Sequence, residues 1–269
     1  MADVPDTATA RDPGIPSGLD RLAAALEREI VPRLLVASRA GPFSPDLLAF
    51  AGHTLDANRI EDLLRHLRGP SEFAAEGYLR ELLDRGVTMD VVCMDLLGPA
   101  ARRLGTMWEE DECDFVEVTI AVGRMQRVLH SLGSLFAGSP TDSISPTGRL
   151  YLTCIPGEQH TLGILIVAEF FLRDGWAVDL GHPLDAVDLR AAVRENWFDV
   201  VGFSLACDSN LPRLRREVRS VRQASRNSDV RVMVGGRPFV ERPDLVRRTG
   251  ADATATDARE APAVAASLL

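Results

Sequence analysis

The sequence predicts an α/β protein in two parts, a helical bundle followed by a parallel β-sheet with helices on both faces. Two observations favour this fold class. Residues 19–136 carry apolar side chains at helical spacing, whereas from residue 150 onward short β-prone runs alternate with helical segments. The chain has 269 residues, 46% of them hydrophobic, so each part can bury a core of its own.

The N-terminal half is predicted to contain a disordered arm and a helical domain. Residues 1–17 are rich in Asp, Ala, Thr, Pro and Gly without periodicity, which is typical of disorder. The helical domain covers 18–137. Its helices are expected at 19–38, 45–51, 56–68, 71–86, 88–104 and 115–136. Gly86 and Gly105 are expected to separate the later ones. The last helix is the clearest, because one apolar stripe runs along about six turns of it: Phe115, Val118, Val122, Met125, Leu129, Leu132 and Phe136.

A linker and five strands are predicted in the remainder. Residues 138–148 are rich in Ser, Pro, Thr and Gly, which indicates a linker to a second domain over 149–269. The strands are expected at 150–155, 177–180, 200–205, 230–234 and 253–256. Helices are expected at 160–174, 184–196, 209–226, 242–249 and 258–268. This order is typical of a flavodoxin-like, Rossmann-type sheet, in which ligands bind beyond the carboxyl ends of the strands.

Composition and charge exclude several classes of protein. The net charge is −9, and residues 148–269 carry 16 Arg and 16 acidic residues, so the whole negative excess lies before them. An acidic half is poorly suited to nucleic acid, whose phosphates attract clustered cations. Every basic residue is Arg, which excludes Schiff-base lysine chemistry and the lysine of a P-loop. No apolar stretch approaches the roughly 20 residues of a membrane helix, and the N-terminus lacks signal-peptide features, so we expect a cytoplasmic protein without membrane contact.

The loop after the first strand carries candidate metal-site residues. It contains Glu158-x-His160-x-x-Gly163, which places a histidine at the edge of the sheet where ligands bind. A carboxylate two residues before a histidine can accept its Nδ1–H proton and leave Nε2 as a metal ligand. Gly163 removes a side chain where a ligand passes close to the backbone. In this interpretation His160 is the metal ligand and Glu158 orients it; in the alternative, His160 is a solvated loop residue.

Two further strand ends carry small residues. Ser204-Leu205-Ala206 follows the third strand and offers a hydroxyl beside apolar side chains. Gly235 and Gly236 follow the fourth strand, and paired glycines let a flat or bulky ligand approach the backbone. All these positions fall at the same edge of the predicted sheet as the Glu158–His160 loop.

Together these three motifs resemble the cobalamin-binding domain of methionine synthase, of corrinoid methyl carriers and of light-sensing B12 regulators. In this sequence 40 residues separate Gly163 from Ser204, and 28 separate Ala206 from Gly235, which is similar to the spacing in that family. The resemblance implies that His160 replaces the benzimidazole of the cofactor below cobalt. It also implies a slot for the displaced tail, lined by Gly163, Ser204, Leu205, Gly235 and Gly236.

The resemblance covers 150–269 and includes two departures. Glu158 stands where the family usually has Asp, so its longer side chain reaches the imidazole at a different angle. Ser204-Leu-Ala replaces Ser-x-Leu. Both departures bear on the affinity for the cofactor more than on the fold.

The helical half resembles the cap of B12-binding proteins. Leu104-Gly-Thr-Met-Trp108 is similar to the Leu-Gly-x-x-Trp segment of such caps, in which the Trp covers the upper face of the corrin; a core tryptophan is the alternative. Adenosyl-binding light regulators carry a Glu-His pair near the start of the next helix, and Glu117-Val118-Thr119 stands there in this sequence. The resemblance therefore implies hydroxo- or aquocobalamin as the cofactor and disfavours adenosylcobalamin.

The segment at 26–35 and the layout of the whole chain resemble the AerR/PpaA regulators of photosynthesis genes and the related SCHIC domains. This resemblance implies a non-enzymatic, light-responsive antirepressor that acts on a PpsR/CrtJ-type repressor without tight DNA binding of its own. Two alternatives stay open. One is a corrinoid methyl carrier of a methyltransferase system, and the other is a SCHIC-type heme sensor with His160 on iron. The arginine-rich helix at 209–226 is either a solvated surface or a contact for a partner or nucleic acid.

Overall fold

The computed structural model describes residues 57–136, 146–156, 158, 160–181 and 186–269. These residues belong to one compact unit, which spans Ser44–Leu269. The predicted arm at 1–17, the predicted helices at 19–38 and 45–51, and most of the predicted linker lie outside the described residues.

The first part of the described chain is helical, as predicted. Its α-helices are α1 (Ala57–Arg68), α2 (Ala74–Asp84), α3 (Met89–Val91), α4 (Gly98–Glu109) and α5 (Phe115–Phe136). A π-helix, Val92–Leu97, joins α3 to α4 without a break. The prediction that Gly105 ends this helix is wrong. The helix continues to Glu109 because Leu104 and Met107 extend its buried face, and such tertiary burial outweighs the weak helix propensity of one glycine.

Helix α5 begins at a capping box. The Asp114 carboxylate accepts the backbone N–H of Glu117 at 2.8 Å, and the Glu117 carboxylate accepts the N–H of Asp114 at 3.0 Å. Met125, Leu129 and Leu132 from the predicted stripe are buried in the helical core. The start and the buried face of α5 therefore both follow from local sequence signals.

The second part is a four-stranded parallel sheet in the order β2-β1-β3-β4. Its strands are β1 (Arg149–Cys154), β2 (Ala177–Leu180), β3 (Val200–Ser204) and β4 (Arg231–Gly235). The α-helices of this part are α6 (Leu162–Arg173), α7 (Ala186–Glu195), α8 (Leu211–Ala224), α9 (Arg237–Glu241), α10 (Leu245–Thr249) and α11 (Ala261–Ala266). A 3-10 turn, Asp208–Asn210, precedes α8.

The strand predicted at 253–256 is wrong. Ala253 pairs with Met233 of β4 in a single parallel bridge, and its carbonyl accepts the N–H of Val234 at 3.0 Å. Beyond that point the chain turns away, because Asp257 accepts the N–H of Arg259 at 2.8 Å and starts the turn that leads to α11.

The sheet has two differently covered faces. Helices α7 and α8 cover what we name the packed face, with strand residues Tyr151, Val201, Phe203, Val232 and Val234 in its core. Helices α6 and α11 cover what we name the open face, with strand residues Leu150, Leu152, Cys154, Val200 and Met233 in its core. This division follows the alternation of side chains along each strand.

Helix α6 is covered on both sides. Leu162, Ile166 and Phe170 belong to the core of the helical part, whereas Ala168 and Phe171 belong to the core of the open face. The largely apolar sequence of α6 is thus explained by burial on two sides, although Leu172 in its last turn is exposed. In the part of the chain that the structure describes, no helix is both long and apolar enough to cross a membrane.

Candidate functional site

Glu158 and His160 form a hydrogen-bonded pair in the loop between β1 and α6. Nδ1 of His160 bonds to Oε1 of Glu158, and the same oxygen accepts the backbone N–H of His160 at 3.3 Å. The other oxygen, Oε2, accepts the N–H of Ala206 at 3.3 Å, which ties this loop to the loop after β3. Glu158 is 5% exposed, whereas the His160 side chain is 47% exposed. Since Nδ1 is engaged, Nε2 is the ring nitrogen that a ligand can reach.

The electrostatics of this pair favour an ionised glutamate. Burial alone would raise the pKa of the Glu158 carboxyl. The hydrogen bond and charge of the His160 ring, together with the N–H groups of His160 and Ala206, outweigh burial and lower this pKa below its ordinary value. Glu158 therefore stays a carboxylate near neutral pH, where it fixes the orientation of the imidazole.

An apolar cavity of about 80 Å³ lies on the open face of the sheet, between α6 and the segment that leads into α11. Its strand residues are Leu150, Leu152, Gly202, Phe203, Ser204, Met233, Val234 and Gly235, with Gly236 directly after β4. Its remaining residues are Ile164, Val167, Phe171, Ala255, Asp257, Ala258 and Ala261. Three predicted slot residues, Ser204, Gly235 and Gly236, thus line one cavity.

Four glycines near the Glu158–His160 loop and the cavity fall into two kinds. A Cβ atom added at Gly163 or Gly235 would meet no atom within 4 Å, so both positions border open space. A Cβ at Gly202 would lie 2.5 Å from Leu152 Cδ2, and one at Gly236 would lie 2.1 Å from the Leu205 carbonyl oxygen. Gly236 also has a φ of 106°, which L-residues rarely adopt. Close packing thus explains why glycine stands at 202 and 236. No contact among the described residues explains the glycines at 163 and 235.

Leu205 and Gly163 do not line the cavity as the resemblance implies. The Leu205 side chain is fully buried in the core of the packed face, and its N–H donates to the Gly235 carbonyl at 3.0 Å. This position follows from strand alternation, because Ser204 and Leu205 must point to opposite sides. Gly163 lies in the first turn of α6, beside His160 rather than beside the cavity.

Trp108 lies in the last turn of α4, half-buried against the core of the helical part. Among the described residues, no hydrogen bond or ring contact joins Trp108 to Glu158 or His160. Glu117 serves in the capping box of α5 and pairs with Arg68 at 3.1 Å. The hydrogen bonds from the Asp114 N–H and from Arg68 lower the pKa of the Glu117 carboxyl.

A link that sequence reasoning missed joins the two parts next to His160. The side-chain amide of Gln126 on α5 donates to the hydroxyl of Thr161 at 2.8 Å, and Thr161 directly follows His160. Gln126 follows the apolar stripe residue Met125, and no sequence motif marks it. The helical part therefore contacts the loop that carries the candidate metal ligand.

Two family models match the chain, and each is described as a B12 binding domain. One covers residues 57–132, the helical part, and the other covers 148–265, the sheet. The residues present fit cobalamin. One accessible imidazole nitrogen suits a metal whose macrocycle supplies the other ligands, and the open space at Gly163 and Gly235 leaves room for a bulky group.

Two relatives and one of the solved structures similar to this chain match it over most of their own length. A protein of Rhodobacter capsulatus, described as an uncharacterized 20.5 kDa protein in the bchF-crtJ intergenic region, is 31% identical over 173 residues, which are 64% of this chain and 88% of the relative. A corrinoid protein of Desulfitobacterium hafniense is 24% identical over 207 residues, 75% of this chain and 96% of that protein.

The solved structure is the monomethylamine corrinoid protein of Methanosarcina barkeri. It matches with a TM-score of 0.65 and 17% identity, over 79% of this chain and 99% of its own, and so supports the fold. The predicted cap and flavodoxin-like sheet are thereby confirmed. The chain belongs to the AerR/PpaA-type family of proteins that carry B12-binding domains.

Proposed function

We propose that the protein binds cobalamin with His160 as the lower ligand of cobalt, and that it acts as a regulator and not as an enzyme. One observation carries the binding proposal. The Glu158–His160 pair stands at the carboxyl edge of the sheet, near an apolar cavity that borders open space at Gly235. The matching B12-binding family models support the same ligand.

Each site residue has its own task in this proposal. Glu158 engages Nδ1 and leaves Nε2 of His160 to the metal. Ser204, Gly235 and Gly236 line the slot that receives the nucleotide tail of the cofactor. Trp108 covers the upper side of the site. Bound cobalamin would supply a cobalt atom that His160 would hold through Nε2.

The first test is His160→Ala. Loss of an outer partner of a metal ligand already costs 10–100-fold in affinity, so we expect loss of the ligand itself to weaken cobalamin binding by on the order of 100-fold or more. The absorption spectrum of bound cofactor should change as well, while far-UV circular dichroism stays the same. His66→Ala, on α1, is the matched control and should bind like the wild type. Unchanged affinity and spectrum in His160→Ala would contradict the proposal.

The upper ligand is proposed to be water or hydroxide. Glu117 is engaged in the capping box of α5, and the neighbouring Thr119 hydroxyl donates to the Phe115 carbonyl at 2.8 Å. Competition binding in the dark should therefore favour hydroxocobalamin over adenosylcobalamin. The proposed response to light would then depend on which form of cobalamin is available to bind. Equal or tighter binding of adenosylcobalamin would contradict this part of the proposal.

The partner is proposed to be a repressor of the PpsR/CrtJ type. Because Gln126 of the cap contacts the His160 loop, cobalamin bound between the two parts can change their relative orientation, and a partner that prefers one orientation then responds to the ligand. The test is a mobility-shift titration of repressor with promoter DNA, with and without this protein and hydroxocobalamin. We expect the amount of repressor–DNA complex to fall only when this protein and hydroxocobalamin are both present.

A corrinoid methyl carrier is the second candidate, because corrinoid proteins are among the relatives. It predicts methyl transfer from methylcobalamin-loaded protein in the presence of a methyltransferase, which the regulator proposal does not. The absorption spectrum of the protein, purified with heme or with cobalamin, distinguishes a heme sensor from a cobalamin-binding protein.

A further inference from the structure

Glu169 is a buried carboxyl at the boundary between the cap and the sheet. It lies on α6 and is 7% exposed. Ile166 and Phe170 beside it pack into the cap core, and Phe171 packs into the open face of the sheet. The motifs of the candidate site make no use of this residue, and it is nine positions away from His160.

The surroundings of Glu169 do not compensate for its burial. Its Oε1 atom is inaccessible to solvent and has no hydrogen-bond partner among the described residues. Its Oε2 atom lies against α5, so close that a Cβ atom on Gly133 would be 2.5 Å away. An ionised carboxylate without a partner is costly to bury, whereas a protonated one costs far less.

The charged and titratable groups around Glu169 come from several elements. On α6 itself, Arg173 follows one turn later, but it pairs with Asp90 of α3. Cys93 of the π-helix is close enough to feel this carboxyl, because burial and then the charge of Glu169 raise the pKa of the thiol to about 12.

Two more groups complete this environment. Arg259, which is near Cys93, pairs with Asp95 at 3.5 Å. On α5, His130 precedes Gly133 by one turn and is exposed. The pKa of Glu169 itself is raised by burial, against a smaller opposing effect of Arg173.

We propose that Glu169 is a proton-dependent latch of the cap. Protonated, it packs between α5 and α6; ionised, it loosens that contact and speeds the entry of cobalamin. The statement about cobalamin entry rests on the proposed function, whereas the statement about the contact of α5 with α6 does not.

The experiment compares the wild type with Glu169→Gln, which keeps the shape of the side chain and cannot ionise. Glu81→Gln, an exposed carboxylate paired with Arg85 on the cap, is the matched control. The first readout is the opening of α5 in ligand-free protein, measured by amide hydrogen exchange between pH 5 and pH 9. The second is the association rate of hydroxocobalamin over the same range, measured by stopped-flow absorbance.

The expected direction follows from proton linkage. In the open form Glu169 ionises near its ordinary pKa of about 4.3, and in the closed form it stays protonated to higher pH. The opening constant of the wild type, divided by that of Glu169→Gln, should therefore rise by up to tenfold per pH unit and level off once the closed form ionises. The association rate of hydroxocobalamin with the wild type, divided by that with Glu169→Gln, should rise over the same pH range. Glu81→Gln should follow the wild type in both readouts.

Parallel opening profiles for the wild type and Glu169→Gln would overturn the latch. Different opening profiles with identical association rates would overturn it too, since Glu169 would then be only a structural residue. If neither protein binds hydroxocobalamin, the proposed function fails, and the hydrogen-exchange profile by itself decides whether Glu169 controls the contact of α5 with α6.

Discussion

The packed face and the open face of the sheet share the same four strands but differ in how fully they are filled. On the packed face, α7 and α8 cover Val201 and Phe203 with fully buried side chains such as Leu214. On the open face, a cavity of about 80 Å³ remains beside small residues; they are Gly235, Ala255, Ala258 and Ala261. The two faces therefore differ in how much side-chain volume fills them, although the same strands form both.

A matched pair of core substitutions would give the largest effect and test this comparison directly. Leu214→Ala on the packed face removes a side chain that is enclosed on all sides, so we expect it to cost about 3–5 kcal/mol of unfolding free energy. Leu152→Ala on the open face should cost nearer about 2 kcal/mol, because Leu152 already borders the cavity and loses fewer contacts. Chemical denaturation measures both. Equal costs would mean that the two faces are equally well packed.

A substitution that fills the cavity gives a second test of the difference between the two faces. Gly235→Val adds a side chain that strands accept at a position with open space, so we expect the unfolding free energy to change by less than about 1 kcal/mol. Affinity for cobalamin should fall by about 100-fold, since on the order of 3 kcal/mol is a moderate cost for overpacking a site. Cobinamide, which has no nucleotide tail, should bind as it does to the wild type.

Gly77→Ala is the control for this experiment, because it adds a side chain to open space on α2 of the cap. It should leave the affinity for both corrinoids unchanged. An equal loss of cobinamide and cobalamin affinity in Gly235→Val would show that the cavity does not receive the tail.

A change in the Glu158–His160 pair should lower cobalamin affinity less than Gly235→Val does, and its effect on stability should depend on pH. Glu158→Gln should weaken cobalamin binding by about tenfold, because the imidazole loses its charged partner. Folding lowers the pKa of Glu158 below its ordinary value of about 4.3. The carboxylate therefore stabilises the fold at pH values above about 4.3, and this contribution is lost as the pH falls through the lower pKa of the folded protein. Denaturation at several pH values should show the difference between wild type and variant shrinking below about pH 4. A constant difference would point to lost packing instead.

The outer surface of the packed face should give the smallest effect. Within the described residues, no carboxylate pairs with Arg213, Arg215, Arg216 or Arg219 on α8. The chain nevertheless carries a net charge of −9, so we expect no tight DNA binding at physiological salt and only weak, sequence-independent binding at low salt.

Mobility shifts would check this charge argument. Replacement of Arg215, Arg216 and Arg219 by Gln should abolish the weak binding, whereas the same change at three exposed and paired arginines should not; these are Arg65, Arg85 and Arg248. A tight, sequence-specific shift by the wild-type protein alone would contradict the prediction and also the antirepressor proposal.

Much of this protein is readable from local signals. The stripe on α5 and its start at Asp114 follow from helical spacing and a capping box. Alternating strand and helix segments predict the sheet, and the Glu158-x-His160 spacing predicts the hydrogen bond between the two side chains. Each of these signals lies within a short stretch of sequence, so it can be recognised without knowledge of the tertiary contacts.

The two failures in secondary structure have different physical causes, one tertiary and one local. Gly105 does not end its helix because tertiary burial carries α4 on to Glu109. The fifth strand reduces to one bridge at Ala253 because the turn at Asp257 takes the chain toward α11.

The two-part α/β fold, the imidazole–carboxylate pair and its place at the carboxyl edge of the sheet follow from the amino-acid sequence. Long-range packing sets which glycines face open space, which strand residues line the cavity, and that Gln126 and Glu169 lie between the cap and the sheet. The reason is that open volume and buried charge are properties of several packed elements together, and no short stretch of sequence contains them.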